Sequence, residues 1–157
     1  MSGFNYVTQE TLEQMKIELQ RMKAVDRPAA SRAIAEAKEK GDLKENAEYD
    51  AAKEAQGHLE AKIAQMEGII ANTRVVDEST IDTSKVSILT KVTLTNLNTK
   101  KQVTYKLVSE NEADLKAGKI SVTSPIGKGL LGKKVGDIAE VQAPAGTLQF
   151  KIENIFI

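Results

Sequence analysis

Residues 38–50 read KEKGDLKENAEYD, a charged stretch lying between two long runs of helical pattern. Six acids cluster around its glycine: Glu36 and Glu39 before Gly41, then Asp42, Glu45, Glu48 and Asp50 after it. A connection that only reverses the chain does not require this density of charge. Working outward on the N-terminal side, Thr8 is placed to cap a helix that runs to Lys40. Leu12, Met15, Leu19 and Met22 recur at spacings of three, four and three, a heptad seam. Pro28 interrupts this pattern, and Asp26 before it is expected to re-cap the chain locally. The alanine-rich run Ala29, Ala30, Ala33, Ile34 and Ala37 favours helix up to Gly41, the expected left-handed stop.

On the C-terminal side a second helix is predicted from about Asp42 to about Thr73. Its seam is Tyr49, Ala52, Gln56, Leu59, Ile63, Met66 and Ile70. Folding the arms back at Gly41 matches the seams by size. Leu12, Met15 and Leu19 face Ile70 and Met66, while Ala33 and Ala37 come near Ala52 and Tyr49. Some 30 residues per arm at ~1.5 Å each give a reach of roughly 45 Å. The expectation is a slender antiparallel coiled coil over residues 1–75 with an acidic tip.

Past Arg74 the period becomes two. Residues 86–97 (VSILTKVTLTNL) and 101–108 (KQVTYKLV) predict a hairpin about Asn98, Thr99 and Lys100. Short strands follow at 120–124, 137–142 and 147–157, with a brief helical turn in IGKGLLG (126–132). The fold class is therefore α+β: the hairpin over 1–75, a linker over 76–84 and a mainly β domain over 85–157.

The composition sets limits. Of 157 residues, 28% are charged, 41% hydrophobic and 4% aromatic, which suits a globular chain with a modest core. Without cysteine, neither disulfides nor thiol catalysis are available. The opening MSGFNYVTQETLEQ lacks a secretory leader pattern, no apolar run approaches a membrane span, and a cytoplasmic location is expected. The formal net charge is zero, yet residues 1–84 carry 11 basic against 16 acidic groups and residues 85–157 carry 11 against 6. Halves of opposite sign point to different partners, or to different parts of one partner.

Two readings of the acids stand side by side. Asp42-Leu-Lys-Glu45 has the form of a capping box, contributing about 1 kcal/mol. Two carboxylates three apart at a helix start also suit one hard cation such as Mg²⁺, which takes one or two carboxylates plus water and phosphate oxygens. An exposed pair binds weakly alone and makes sense as half of a site that another molecule completes. One oxygen of Asp42 can cap while the other ligates.

RPAASRAIAEAKEK (27–40), GDLKENAEY (41–49) and AAKEAQ (51–56) closely resemble the Gre transcript cleavage factors of bacterial RNA polymerase, with the GreA branch the nearest. The C-terminal segment through KAGKISVTSPIGKGLLGKKVGD (116–137) is similar to the same family, although its acid-rich opening reads Glu110-Asn111-Glu112-Ala113-Asp114 here. The resemblance implies that the hairpin enters the polymerase secondary channel and that Asp42 and Glu45 are the catalytic carboxylates. They would share a Mg²⁺ with the polymerase only in the complex, with no cofactor held stably alone. Gly41, Leu43, Asn46 and Tyr49 would shape the tip. Lys38 and Lys53 would meet the nascent RNA 3′ segment, although solvated helix lysines read the same way. The chain would be a cofactor rather than an enzyme, a monomer that meets RNA and DNA inside the elongation complex and no membrane. The resemblance further implies that the C-terminal domain is FKBP-like and docks at the channel rim, with Ser124, Pro125 and Ile126 in the contact.

Other features weigh less. GKGLLGKK (127–134) lacks the order of a phosphate-binding loop and reads as a turn around a short apolar helix. A prolyl isomerase pocket would need more rings than Tyr105, Phe150 and Phe156, of which the two phenylalanines read as core. His58 reads as a surface residue. A channel-binding regulator that does not stimulate cleavage is the alternative to a cleavage factor, and a coiled-coil adaptor is a third class.

Overall fold

The computed structural model describes residues 4–41 and 46–157. In chain order it comprises β1 (Asn5–Val7), α1 (Gln9–Arg21), a π-helical turn (Met22–Asp26), α2 (Arg27–Glu39), α3 (Ala47–Ala71) and β2 (Thr73–Val75). Then follow β3 (Lys91–Asn96), β4 (Gln102–Val108), β5 (Lys119–Ser121), α4 (Pro125–Leu130), β6 (Ile138–Ala143) and β7 (Gly146–Phe156). The chain divides into two compact units, residues 10–72 and residues up to 9 with 73–157. β1 and β2 pair in parallel, Asn5 against Thr73 through Val7 against Val75, and this pair belongs to the second unit together with residues 76–84.

The helical unit is an antiparallel hairpin. Among the described residues three ion pairs run between its arms: Lys23–Glu67 at 3.4 Å, Arg27–Glu60 at 2.9 Å and Lys40–Glu48 at 3.3 Å. Met22, Ala37 and Ile63 are its buried apolar residues. All seven expected seam positions of α3, from Tyr49 to Ile70, are buried or half-buried. On the first arm Pro28 does not break the helix. It has no N–H to donate and its ring crowds the carbonyl four residues back. The π turn absorbs this conflict, with the Arg27 N–H donating to the Met22 carbonyl. The extra residue shifts the seam, so Asp26, Ala30, Ile34 and Ala37 continue it and Ala33 is exposed. The expected re-cap at Asp26 is absent: its backbone is helical, and its carboxylate instead pairs with Arg21 at 3.0 Å.

The second unit holds a five-stranded sheet in the order β5-β4-β3-β7-β6, antiparallel except for β4 and β5. One face carries Val92, Leu94, Leu107, Ile120, Ala139, Val141, Phe150 and Ile152, which pack with Leu130 of α4 into one core. The α+β expectation holds, as does a short helix within IGKGLLG. The expected first strand is shortened to β3, because Leu89, at φ 70°, turns the chain just before it. Phe156 corrects another expectation. A bulge opposite Thr93 and Leu94 inserts one residue into β7, so Ile155 rather than Phe156 follows Ile152 into the core.

Glu112 is half-buried, and its Oε2 has no hydrogen-bond partner among the described residues. Burial raises its pKa, with Lys119 and Lys106 opposing. An acid raised by the fold destabilises the folded state once ionised, since the unfolded chain gives up its proton at lower pH. Glu112→Gln is thus expected to raise the melting temperature at pH 7. The gain should shrink as pH falls through the ordinary glutamate range, as paired melting curves across pH will show.

Candidate functional site

The tip is built from the end of α2 and the start of α3. α2 closes at Lys40, whose N–H donates to the Ala37 carbonyl at 3.3 Å. Gly41 follows at φ 159°, at the extended edge rather than in the expected left-handed stop. Asp42, Leu43, Lys44 and Glu45 lie outside the described residues, so the capping box and the carboxylate pair expected there do too. α3 nevertheless starts later than expected, at Ala47, and its N-cap is Asn46. The Asn46 side-chain oxygen accepts from the Tyr49 N–H at 3.1 Å, and its amide nitrogen donates to the Ala37 carbonyl at 2.6 Å. One side chain therefore caps one helix and ties it to the end of the other. Residues 42–45 are bracketed between the Lys40 closure and this clasp.

The charges around the bracket are distinct in role. Glu48 and Asp50 occupy the first turn of α3, where the helix dipole favours acids, and Glu48 is engaged by Lys40. Lys38 and Lys53 are exposed and enter none of the ion pairs among the described residues. Tyr49 is half-buried at the seam. No group of three or more potential metal ligands occurs among the described residues.

Asn46 was legible only as a tip-shaping residue. The signal for more was there, since Asn is a preferred N-cap and acids at the second and fourth residues after it favour a helix start. Asn46→Ala is expected to cost the hairpin roughly 1–2 kcal/mol, the usual cap penalty plus the cross-arm bond. Asn46→Asp keeps the cap acceptor, loses the donor to Ala37, and should fall between. Unfolding of residues 10–72 and hydrogen exchange at the Tyr49 amide will measure both.

Ser124, Pro125 and Ile126, the expected docking residues, lie at the start of α4. Ser124 caps α4, accepting from the Gly127 N–H at 3.1 Å and donating to the Ser121 carbonyl at 2.6 Å. Pro125 and Ile126 follow at the helix start. With Leu115, Ile120, Val141 and Leu148 they line an apolar cavity of about 420 Å³. His58 is exposed, as expected, with Glu54 at 3.6 Å one turn earlier. No helix of the described residues is long and apolar enough to cross a membrane.

Residues 5–75 match the family model for the N-terminal domain of transcription elongation factors GreA/GreB, and residues 81–156 match that for the GreA/GreB C-terminal domain. The transcription elongation factor GreA of Christiangramia forsetii is 58% identical over 156 residues, 99% of each chain. That of Flavobacterium johnsoniae is 57% identical over 155 residues, covering 99% of this chain and 98% of its own. The solved GreA factor homolog 1 (Gfh1) of Thermus thermophilus aligns over 98% of this chain and 99% of its own at 26% identity, with a TM-score of 0.46. The chain belongs to the GreA/GreB family of transcription elongation factors.

Proposed function

We propose that this chain binds bacterial RNA polymerase, passes its helical hairpin into the secondary channel and stimulates the polymerase's own cleavage of backtracked nascent RNA. The observation that carries the reading is the bracket at the tip. Asn46 clasps the two arms, and it directly follows DLKE (42–45), the segment with both acids, in the chain. With 25 residues, α3 alone gives about 37 Å of reach at ~1.5 Å per residue.

Asp42 and Glu45 act as carboxylate donors brought to an active centre that holds everything else. A Mg²⁺ shared with the polymerase would supply charge stabilisation and a lower pKa for the attacking water. Asn46 and Tyr49 fix the start of α3, and the acids are delivered on a preorganised support. Lys38 and Lys53 present point charges toward the RNA 3′ segment. Ser124, Pro125 and Ile126, around the apolar cavity, dock the second unit on the polymerase. The elongation complex also brings its DNA close to the bound factor. The hairpin seam is satisfied within one chain, which fits a monomeric factor. The test is a backtracked elongation complex incubated with and without the protein at fixed Mg²⁺. Faster release of short 3′ RNA fragments is expected. Binding without acceleration would leave only a channel-binding regulator.

A further inference from the structure

The outer face of the five-stranded sheet carries a row of like charges. Lys119 of β5 is the register partner of Lys106 of β4, and Lys106 is the partner of Lys91 of β3. Direct partners share a face, so three lysines stand side by side on adjacent strands about 4.8 Å apart. Like charges placed directly opposite destabilise a sheet. No ion pair among the described residues engages any of the three. Glu112 is a carboxylate on which Lys119 and Lys106 act, and burial disfavours its charged form. All three lysines are half-buried, as long stems lying together on a sheet become.

The row ends in an aromatic ring. Phe156 of β7 is the register partner of Lys91, whose ammonium lies 6.0 Å from the ring centroid. The bulge that removes Phe156 from the core is what puts it there. The next register row is polar: Thr104, Thr93 and Asn154. The two threonine hydroxyls bond each other at 3.1 Å, which uses one of their two protons and leaves the other to donate. Cations in line, a ring at the end and a parallel row of hydroxyls are the parts with which proteins hold a single strand: phosphates on the lysines, a base on the ring. The hydroxyl row adds partners for a ribose 2′-OH, the group that separates RNA from DNA.

We propose that this face, across Lys119, Lys106, Lys91 and Phe156, is a binding surface for single-stranded RNA. Its readout needs no polymerase, so its outcome is independent of the cleavage reading.

The experiment is fluorescence anisotropy of a labelled oligouridylate titrated with the full chain over a series of salt concentrations. Replacing Lys91, Lys106 and Lys119 together by Gln should weaken binding about tenfold or more at low salt. The slope of log K against log salt should fall by about 2, at ~0.7 per single-strand phosphate contact. Phe156→Leu should weaken binding roughly fivefold or more, through lost stacking. A control with Lys100, Lys101 and Lys116 replaced by Gln removes the same charge from the same unit and should retain the slope. The row variant should melt no lower than the parent, because repulsion is relieved. Lys106→Gln, at the centre of the row, serves if the triple variant does not fold. Equal loss in the control, equal affinity for the deoxy oligomer, equal competition by polyglutamate or no RNA binding at all would each overturn the proposal.

Discussion

Asp42→Asn is expected to lower stimulated RNA cleavage by on the order of 100-fold, the usual effect of removing one preorganised contact to a developing charge. Affinity for the polymerase should stay close to that of the parent. The amide keeps the size of Asp42 and a side-chain oxygen that can cap but carries no negative charge. A purely structural capping role would therefore leave cleavage nearly intact, and a ligand role would not. Glu45→Gln should fall on the same scale, and the double variant should lose less than the sum of the two, because both serve one cation. Raising Mg²⁺ should recover part of the activity of either single variant, since a weakened site fills at higher concentration. A tip that had merely unfolded would not respond to the metal. Cleavage of stalled complexes at several Mg²⁺ concentrations, beside a polymerase-binding measurement, separates these outcomes; full activity of Asp42→Asn would remove the assignment.

The seam of α3 was fully readable because every one of its positions depends on local spacing alone. The first arm was readable only up to Met22. An inserted residue in a π turn leaves no mark in the count of threes and fours, although Pro28 six residues on was a reason to expect an accommodation. The start of α3 was misplaced for a different cause. Asn46 caps α3 and has a second partner on the other arm in the Ala37 carbonyl. A tertiary bond of this kind leaves no mark in local spacing. The β1–β2 pair joins three residues at each end of a hairpin some 70 residues apart in sequence, and such short parallel strands carry no periodicity. Phe156 was misread because alternation was extended through a bulge that only its partner strand reveals. The candidate site divides the same way: its acids were visible as charge and spacing, while the clasp that brackets them is a contact between distant residues.

Gly127→Ala is expected to destabilise the second unit by about 3 kcal/mol, at the upper end for an inserted methyl group because the obstacle is backbone. α4 runs so close to the sheet that a Cβ on Gly127 would overlap the Ser121 carbonyl oxygen, the same atom that accepts from Ser124. Gly129, one row along, leaves only 2.9 Å between such a Cβ and the Glu140 carbonyl oxygen. Helix α4 is therefore held against β5 and β6 by two glycines that admit no side chain. Moving it outward would expose Leu130, which is fully buried, and would open the apolar cavity that Pro125 and Ile126 line. A loss of this size should lower the melting temperature of a unit of this length by more than about 10 °C. Gly57→Ala and Gly68→Ala in α3 provide the contrast. Nothing lies within 4 Å of a Cβ at either position, and both should stabilise their helix by up to ~1 kcal/mol. Melting curves of the three variants decide the matter: a Gly127→Ala protein as stable as its parent would mean that α4 packs less tightly on the sheet than its geometry requires.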